Sequence, residues 1–283
     1  MNTRTLYVSD MDGTLLGADS RVSERSRLII SDLTEQGALI TVATARTPAT
    51  VQPLLAGVAM APPAIVMTGA ALWTRRAGHG SYSRVCYMDP ADVDAVVRVC
   101  AACDVHPFVY TMGTDGGVLD VYHDAAEMNR AEQSFYDQRR HLRLKHFHTR
   151  RALPAEARCR TILFCALGRL TDTDAAAREL AACTGCSVQS YPDVVLPDTG
   201  VLEVFAPGVS KAAAIEQVKA RMGAERVVVF GDNLNDLPMF AVADVAVAVA
   251  NALPQVREAA HVVIGPNTAD SVARFIESDF LDG

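Results

Sequence analysis

Val227-Val228-Val229-Phe230-Gly231-Asp232-Asn233-Leu234-Asn235-Asp236 is the stretch that settles how this chain is read. Its first four residues are β-branched or aromatic and uninterrupted, as in a strand buried on both faces of a parallel sheet. The run then breaks at glycine and turns oxygen-rich. In open parallel sheets ligands bind beyond the carboxyl ends of the strands, which is where this sequence puts Asp232, Asn235 and Asp236. If a helix starts near Asn233, its free N–H groups face the same crevice. Capping by Asn233 or Asp232 is the plainer reading of the same residues, and capping and metal binding are compatible.

The same grammar recurs on either side. Short β-rich runs at residues 6–9, 39–43 and 64–67 end respectively at Asp10, at Thr44 and at Thr68-Gly69, and two more lie at 245–249 and 262–264. Helical patterns fall between them, at 23–36 (Ser23 as cap, Gly37 as stop), 210–222 (Ser210 and Gly223), 253–260 and 268–277. Strands alternating with helices predict an α/β fold, a Rossmann-like parallel sheet with helices on both faces.

The middle of the chain differs. Residues 92–103 and 172–183 agree at seven of twelve positions at an offset of 80, from Asp92/Asp172 to Cys103/Cys183. A duplicated unit of one helix followed by strands explains the match and predicts an α+β insert with its helices on one face of an antiparallel sheet. The expected layout is a core made of residues 1–84 and 203–283, interrupted by an insert at 85–202.

Two carboxylates stand close together in Asp10-Met11-Asp12-Gly13-Thr14. They repel unless a cation neutralises them or one holds a proton, and either state is useful for chemistry. Alone, the segment reads equally well as a turn. The second acidic segment, 231–236, shifts the balance, because hard oxygen ligands from two strand ends suit Mg²⁺. Thr44 and the backbone N–H after it are placed to hold phosphate oxygens. Lys211, in the first turn of a helix, is electrostatically misplaced there; it answers either to a bound anion or, more blandly, to solvent. Arg46 either orients substrate or pairs with an acid.

Composition sets limits. The chain has 283 residues, half of them hydrophobic, and a formal net charge of −7 with a pI near 5.5. An acidic protein is poorly suited to hold polyanionic nucleic acid. No apolar run is long enough to span a bilayer, no leader pattern precedes residue 6, and seven scattered cysteines read as reduced thiols. These features predict a cytoplasmic protein acting on a small molecule, with no membrane or nucleic-acid partner; oligomeric state is not legible. Cys100-x-x-Cys103 and Cys183-x-x-Cys186 invite a zinc reading, but the repeat aligns only Cys103 with Cys183, so small packed thiols are preferred. The basic segment 139–151 is expected to be a solvated face rather than an anion-attracting surface.

Taken together, these motifs resemble those of a haloacid dehalogenase superfamily phosphatase of the Cof type with a class IIB cap. Asp10-Met11-Asp12-Gly13-Thr14, Thr44-Ala45-Arg46, Lys211 and Gly231 to Asp236 are similar to the family's four motifs in order, and Asn251-Ala252 and Asp270 to Ala273 resemble its closing segments. The resemblance implies an Mg²⁺-dependent phosphatase for small phosphomonoesters such as sugar phosphates or phosphorylated cofactors. In that scheme Asp10 is the nucleophile and Asp12 the acid/base. Mg²⁺ sits among Asp10, the Asp12 carbonyl, Asp232 and Asp236, while Met11, Thr44, Ala45, Lys211 and Asn235 hold the phosphate. A phosphosugar mutase shares fold and intermediate, and a phospho-acceptor signalling domain is the non-enzymatic alternative, disfavoured by Asp12. Ala45, Thr68 and Ser271 depart from the family pattern, where Gly, Asn and Gly are usual, which bears on substrate fit or loop geometry.

Overall fold

The computed structural model describes residues 3–75, 80–115, 117–193, 196 and 198–282. The chain forms two compact units, one from Met1–Arg75 with Ser210–Gly283 and one from Arg76–Val209. The first segment runs β1 (Thr5–Ser9), α1 (Glu24–Glu35), β2 (Leu39–Val42), α2 (Pro48–Leu54), β3 (Ala64–Val66) and β4 (Ala71–Thr74). The middle unit carries β5 (Ser81–Val85), α3 (Pro90–Ala102), β6 (Phe108–Met112), β7 (Leu119–His123), α4 (Arg130–Arg139), β8 (Lys145–Thr149), β9 (Thr161–Arg169), α5 (Leu170–Cys183), β10 (Ser187–Pro192) and β11 (Thr199–Phe205). The last segment runs α6 (Lys211–Met222), β12 (Arg226–Gly231), α7 (Leu237–Phe240), β13 (Val245–Val249), α8 (Pro254–Ala259), β14 (Val262–Ile264) and α9 (Ser271–Asp282).

In the first unit the strands order as β14-β13-β12-β1-β2, all parallel, and a bridge between Ala43 and Ile65 adds the end of β3 beside β2. Leu6, Val8, Val227 to Phe230 and Val247 to Val249 are buried, as the continuous apolar runs require. Ser9 pairs with both Phe230 and Val42, so Asp10, Thr44 and Asp232 emerge at one edge of the sheet. The expected caps are present: the Ser23 and Ser210 hydroxyls accept from the N–H groups of Ser26 and Ala213, and Gly223 ends α6 at φ +62°. The last helix is displaced from its expected range of 268–277 to Ser271–Asp282. Asp270 takes a left-handed conformation at φ +56°, and its carboxylate accepts from the Ser23 and Ser26 hydroxyls, so the chain turns there before the helix begins.

The middle unit is a six-stranded sheet of order β10-β11-β9-β6-β7-β8, antiparallel except for the parallel pair β7/β8. The two matched stretches lie in α3 and α5, which pack together. The expectation of helices on one face needs correction. α5 covers the face that carries Gly200 and Ser190. Phe108, whose register partner is Cys165, points to the other face, where Phe135 of α4 lies against it at 4.8 Å. The boundary drawn at 202/203 falls inside β11, which runs unbroken to Phe205 in this sheet; the unit ends at Val209. At the other end the compact units divide after Arg75, while β5 is the third strand of the β3-β4-β5 sheet, in keeping with the expected boundary at 84/85. The segment 139–151 is not wholly solvated either: Lys145 is buried with its Nζ 5.1 Å from the Tyr110 ring, and His148 pairs with Asp120 at 2.9 Å.

Candidate active site

Asp10 leaves β1 with its backbone tied into the sheet, its N–H donating to the Phe230 carbonyl at 2.9 Å. Gly13, three residues on, turns the chain at φ +77°, and a Cβ there would overlap the Asp232 carboxylate. Only glycine lets the two acidic loops close on each other. Thr14 completes the join by donating to Asp232 Oδ1 at 2.8 Å, and the Asn251 amide donates to the Gly13 carbonyl at 2.8 Å.

Lys211 lies in the centre of this arrangement. It is 3% exposed, with Nζ 2.6 Å from Asp10 Oδ1 and 2.9 Å from Asp236 Oδ1. The solvent reading of this lysine is therefore wrong; two carboxylates compensate its unfavourable position at a helix start. Although burial opposes its charge, Asp10 and Asp236 hold its pKa above the ordinary lysine range. Asp236 is fully buried, and its second oxygen accepts from the N–H groups of Asp232 and Asn233 at 3.1 and 3.2 Å. Of the N–H groups expected to be free at a helix start near Asn233, that of Asn233 is thus occupied and that of Leu234 donates to Asn233 Oδ1 at 2.7 Å; the chain beyond forms a single tight turn and the four-residue α7.

Asp10, Asp232 and Asp236 each offer a carboxylate oxygen within 4.8 Å of the others. Three buried or half-buried carboxylates face one buried ammonium, and unbalanced buried charge is costly. Burial pushes the Asp10 carboxyl up to about 7 against the pull of Lys211, and burial pushes Asp232 up to about 6. Oxygen ligands carrying surplus negative charge fit a hard divalent cation, so the site can hold one.

Asp12 does not join the cluster. Arg46 engages it through two 2.6 Å hydrogen bonds, from Nε to Oδ2 and from Nη2 to Oδ1, and half of the Asp12 side chain is exposed. Of the two readings of Arg46, the structure has the acid pair. Thr44 is buried, and its Oγ1 accepts from the Arg46 N–H at 3.1 Å. Met11 is buried beneath the loop, Ala45 lies between Thr44 and Arg46, and Asn235 is exposed at the rim. Among the three departures, Ser271 donates to the Pro266 carbonyl at 2.8 Å, a local role at the start of α9. The supporting roles of Thr14 and Asn251 escape a reading of the sequence. The only available signal is their place within the recurring segments, since neither residue is conspicuous by type.

The chain matches the family of haloacid dehalogenase-like hydrolases over residues 7–276. It is 26% identical to an HMP-PP phosphatase of Serratia proteamaculans over 96% of this chain and 94% of that one. A shorter stretch, 20% of this chain and 21% of the relative, is 49% identical to a pyridoxal phosphate phosphatase of Escherichia coli. The chain covers only 36% of the length of a phosphoglycolate phosphatase of Sulfurisphaera tokodaii, at 37% identity. In fold it is similar to a haloacid dehalogenase-like hydrolase from Bacteroides thetaiotaomicron (TM-score 0.77, 19% identity, 97% and 98% of the two chains). It is likewise similar to a sugar phosphatase of subclass IIB (TM-score 0.72, 19% identity, 98% of each). With four acidic, threonine and lysine segments gathered at one sheet edge and the family pattern matched across nearly the whole length, the chain belongs to the haloacid dehalogenase-like hydrolases.

Proposed function

We propose that this chain is an Mg²⁺-dependent phosphatase of small phosphomonoesters, with Asp10 as nucleophile. The observation that carries the reading is the buried Lys211 bridging Asp10 and Asp236 beside the Asp232 carboxylate. The lysine fixes one Asp10 oxygen and leaves the other to attack phosphorus, forming an aspartyl-phosphate. Asp12, protonated at first, gives that proton to the leaving oxygen and, now ionised, accepts one from the water that hydrolyses the intermediate. Because Arg46 holds both oxygens of the ionised Asp12, Asp12 must leave Arg46 and take up a proton before it serves the ester. Lys211, Thr44, Asn235 and the N–H groups of Met11 and Ala45 surround the phosphoryl oxygens, where charge spreads in the transition state.

Asp10, the Asp12 carbonyl and Asp232 would hold the cation, with Asp236 fixing Lys211 and the 231–236 loop. Bound there, Mg²⁺ supplies charge neutralisation between carboxylate and phosphate dianion. The middle unit, close to residues 85–202, is read as the cap that selects the ester. The named activities of relatives, towards HMP-PP and pyridoxal phosphate, support a small phosphate ester as substrate. No helix among the described residues is long and apolar enough to cross a membrane, and a cytoplasmic location belongs to the same reading. The test is phosphate release over a panel of metabolite phosphates, in EDTA and in Mg²⁺. Metal-dependent release supports the reading, and no release from any ester refutes it.

A further inference from the structure

β13 ends at Val249, and the segment after it holds both acidic loops by their backbones. The Leu253 N–H donates to the Asp232 carbonyl at 2.9 Å, and Asn251 Nδ2 donates to the Gly13 carbonyl at 2.8 Å. Neither residue is a ligand of the cation in the reading above, yet three consecutive positions grip the segments that supply the Asp12 carbonyl and the Asp232 carboxylate. The grip counts most at Gly13. The Asp12 carbonyl belongs to the peptide joined to the Gly13 nitrogen, so rotation about Gly13 swings that carbonyl. Glycine has no Cβ to resist the rotation, and the restraint must come from a partner outside the loop.

Asn251 is itself held in place. Its Oδ1 accepts from the Asn267 N–H at 2.9 Å, which turns the donor end of its amide to Gly13. The Asn267 amide in turn donates to the Leu16 carbonyl at 2.7 Å. The two asparagines thus bond the loop at Gly13 and at Leu16, and the Leu16 N–H closes the turn between them on the Met11 carbonyl at 2.8 Å. These side-chain bonds span 238 and 251 residues of chain, so neither a cap nor a local turn accounts for them.

Asn251 is exposed and Asn267 half-buried. Water competes for bonds in such places, so they add little to the stability of the fold. What they do fix is geometry, and Mg²⁺ is exacting in that respect: its ligands stand at about 2.1 Å in a near-octahedral arrangement, so a carbonyl free to swing is a poor ligand. We propose that Asn251, oriented by Asn267, is a positioning residue that raises the affinity of the site for Mg²⁺ by fixing the peptide between Asp12 and Gly13. The proposal rests on the phosphatase reading and deepens it.

The test melts wild type, Asn251→Ala and Asn267→Ala first in EDTA and then over a series of Mg²⁺ concentrations. The rise in Tm with added Mg²⁺ gives the Kd by mass action. Partners that orient a metal ligand typically carry about 10–100-fold in affinity, so Asn251→Ala should raise the Mg²⁺ Kd about tenfold. Asn267→Ala should shift it in the same direction, and the double variant should fall short of the product of the two, because both act on one loop. In EDTA the variants should melt within about 4 °C of wild type, as expected for bonds open to water. The Mg²⁺ concentration for half-maximal phosphate release should rise in step with the Kd. If Asn251→Ala does not fold, Asn267→Ala, which spares the bond to Gly13, carries the test. An unchanged Mg²⁺ Kd overturns the proposal and leaves the phosphatase reading intact, as does a lower Tm in EDTA without a change in Kd, the mark of a purely structural brace. Wild type that binds no Mg²⁺ overturns both.

Discussion

Replacing Lys211 with Met removes one charge from the centre of the site and leaves the volume nearly unchanged. The wild-type ammonium makes two charge-assisted hydrogen bonds, 2.6 Å to Asp10 and 2.9 Å to Asp236, and is 3% exposed. Breaking a buried pair by removing one partner costs about 3–5 kcal/mol, chiefly because the remaining charge is stranded. For a protein of this size each kcal/mol moves the Tm by about 2–4 °C, so Lys211→Met should melt about 6–20 °C below wild type in EDTA at pH 8. The loss should also depend on pH. Burial already raises the Asp10 pKa from 3.8 to about 7, with Lys211 pulling it down; without the lysine it rises further. A carboxyl whose folded pKa is raised contributes stability below its unfolded value and loses it as pH rises through the folded pKa. The deficit should therefore be small near pH 5 and grow from pH 7 upward. Millimolar Mg²⁺ should recover part of it, since a ligand of the folded state alone stabilises by mass action. Thermal unfolding followed by circular dichroism across pH 5–9 measures all three effects. A variant that melts with wild type in EDTA at pH 8, or a deficit that does not change with pH, would refute the electrostatic account of the cluster.

The geometry yields two further outcomes. Asp12→Asn should slow alkyl phosphate esters by about 10²–10⁴-fold and p-nitrophenyl phosphate far less, because a good leaving group needs no proton; equal losses in kcat for both would count against the acid role. Asp279 accepts from Tyr7 at 2.8 Å and from Arg226 at 2.6 and 3.0 Å; despite its partial burial, those bonds hold its pKa below the ordinary carboxylate value. Asp279→Asn should cost about 1–3 kcal/mol at pH 7. The difference from wild type should be present above about pH 4 and shrink as pH falls through the depressed pKa, and chemical denaturation at pH 7 and pH 3.5 reads it.

Backbone logic decides what is legible in this sequence. Apolar runs ending in Asp10, Thr44 and Asp232 specify a parallel sheet and the edge at which its ligand site lies, because strand burial and strand termination are local signals. The two serine caps and Gly223 are legible for the same reason. The illegible part depends on side chains meeting across the fold. Lys211 can be recognised as misplaced, yet its carboxylate partners lie 201 and 25 residues away. Nothing local pairs Arg46 with Asp12 or Thr14 with Asp232. Asp236 reads as a metal ligand beyond the strand end, but the tight turn after Asn233 folds its carboxylate onto two N–H groups and the lysine. The later edge of the middle unit escapes because β11 continues in the sheet to Phe205, past the expected boundary at 202/203.

The central claim is that Asp10 is the attacking group, and incubation with a phosphate ester in Mg²⁺ tests it most directly. Wild-type enzyme should release phosphate, while Asp10→Asn, with folding confirmed by an unchanged circular dichroism spectrum, should release none above background. Asp10→Asn turning over at a rate near wild type would contradict the account.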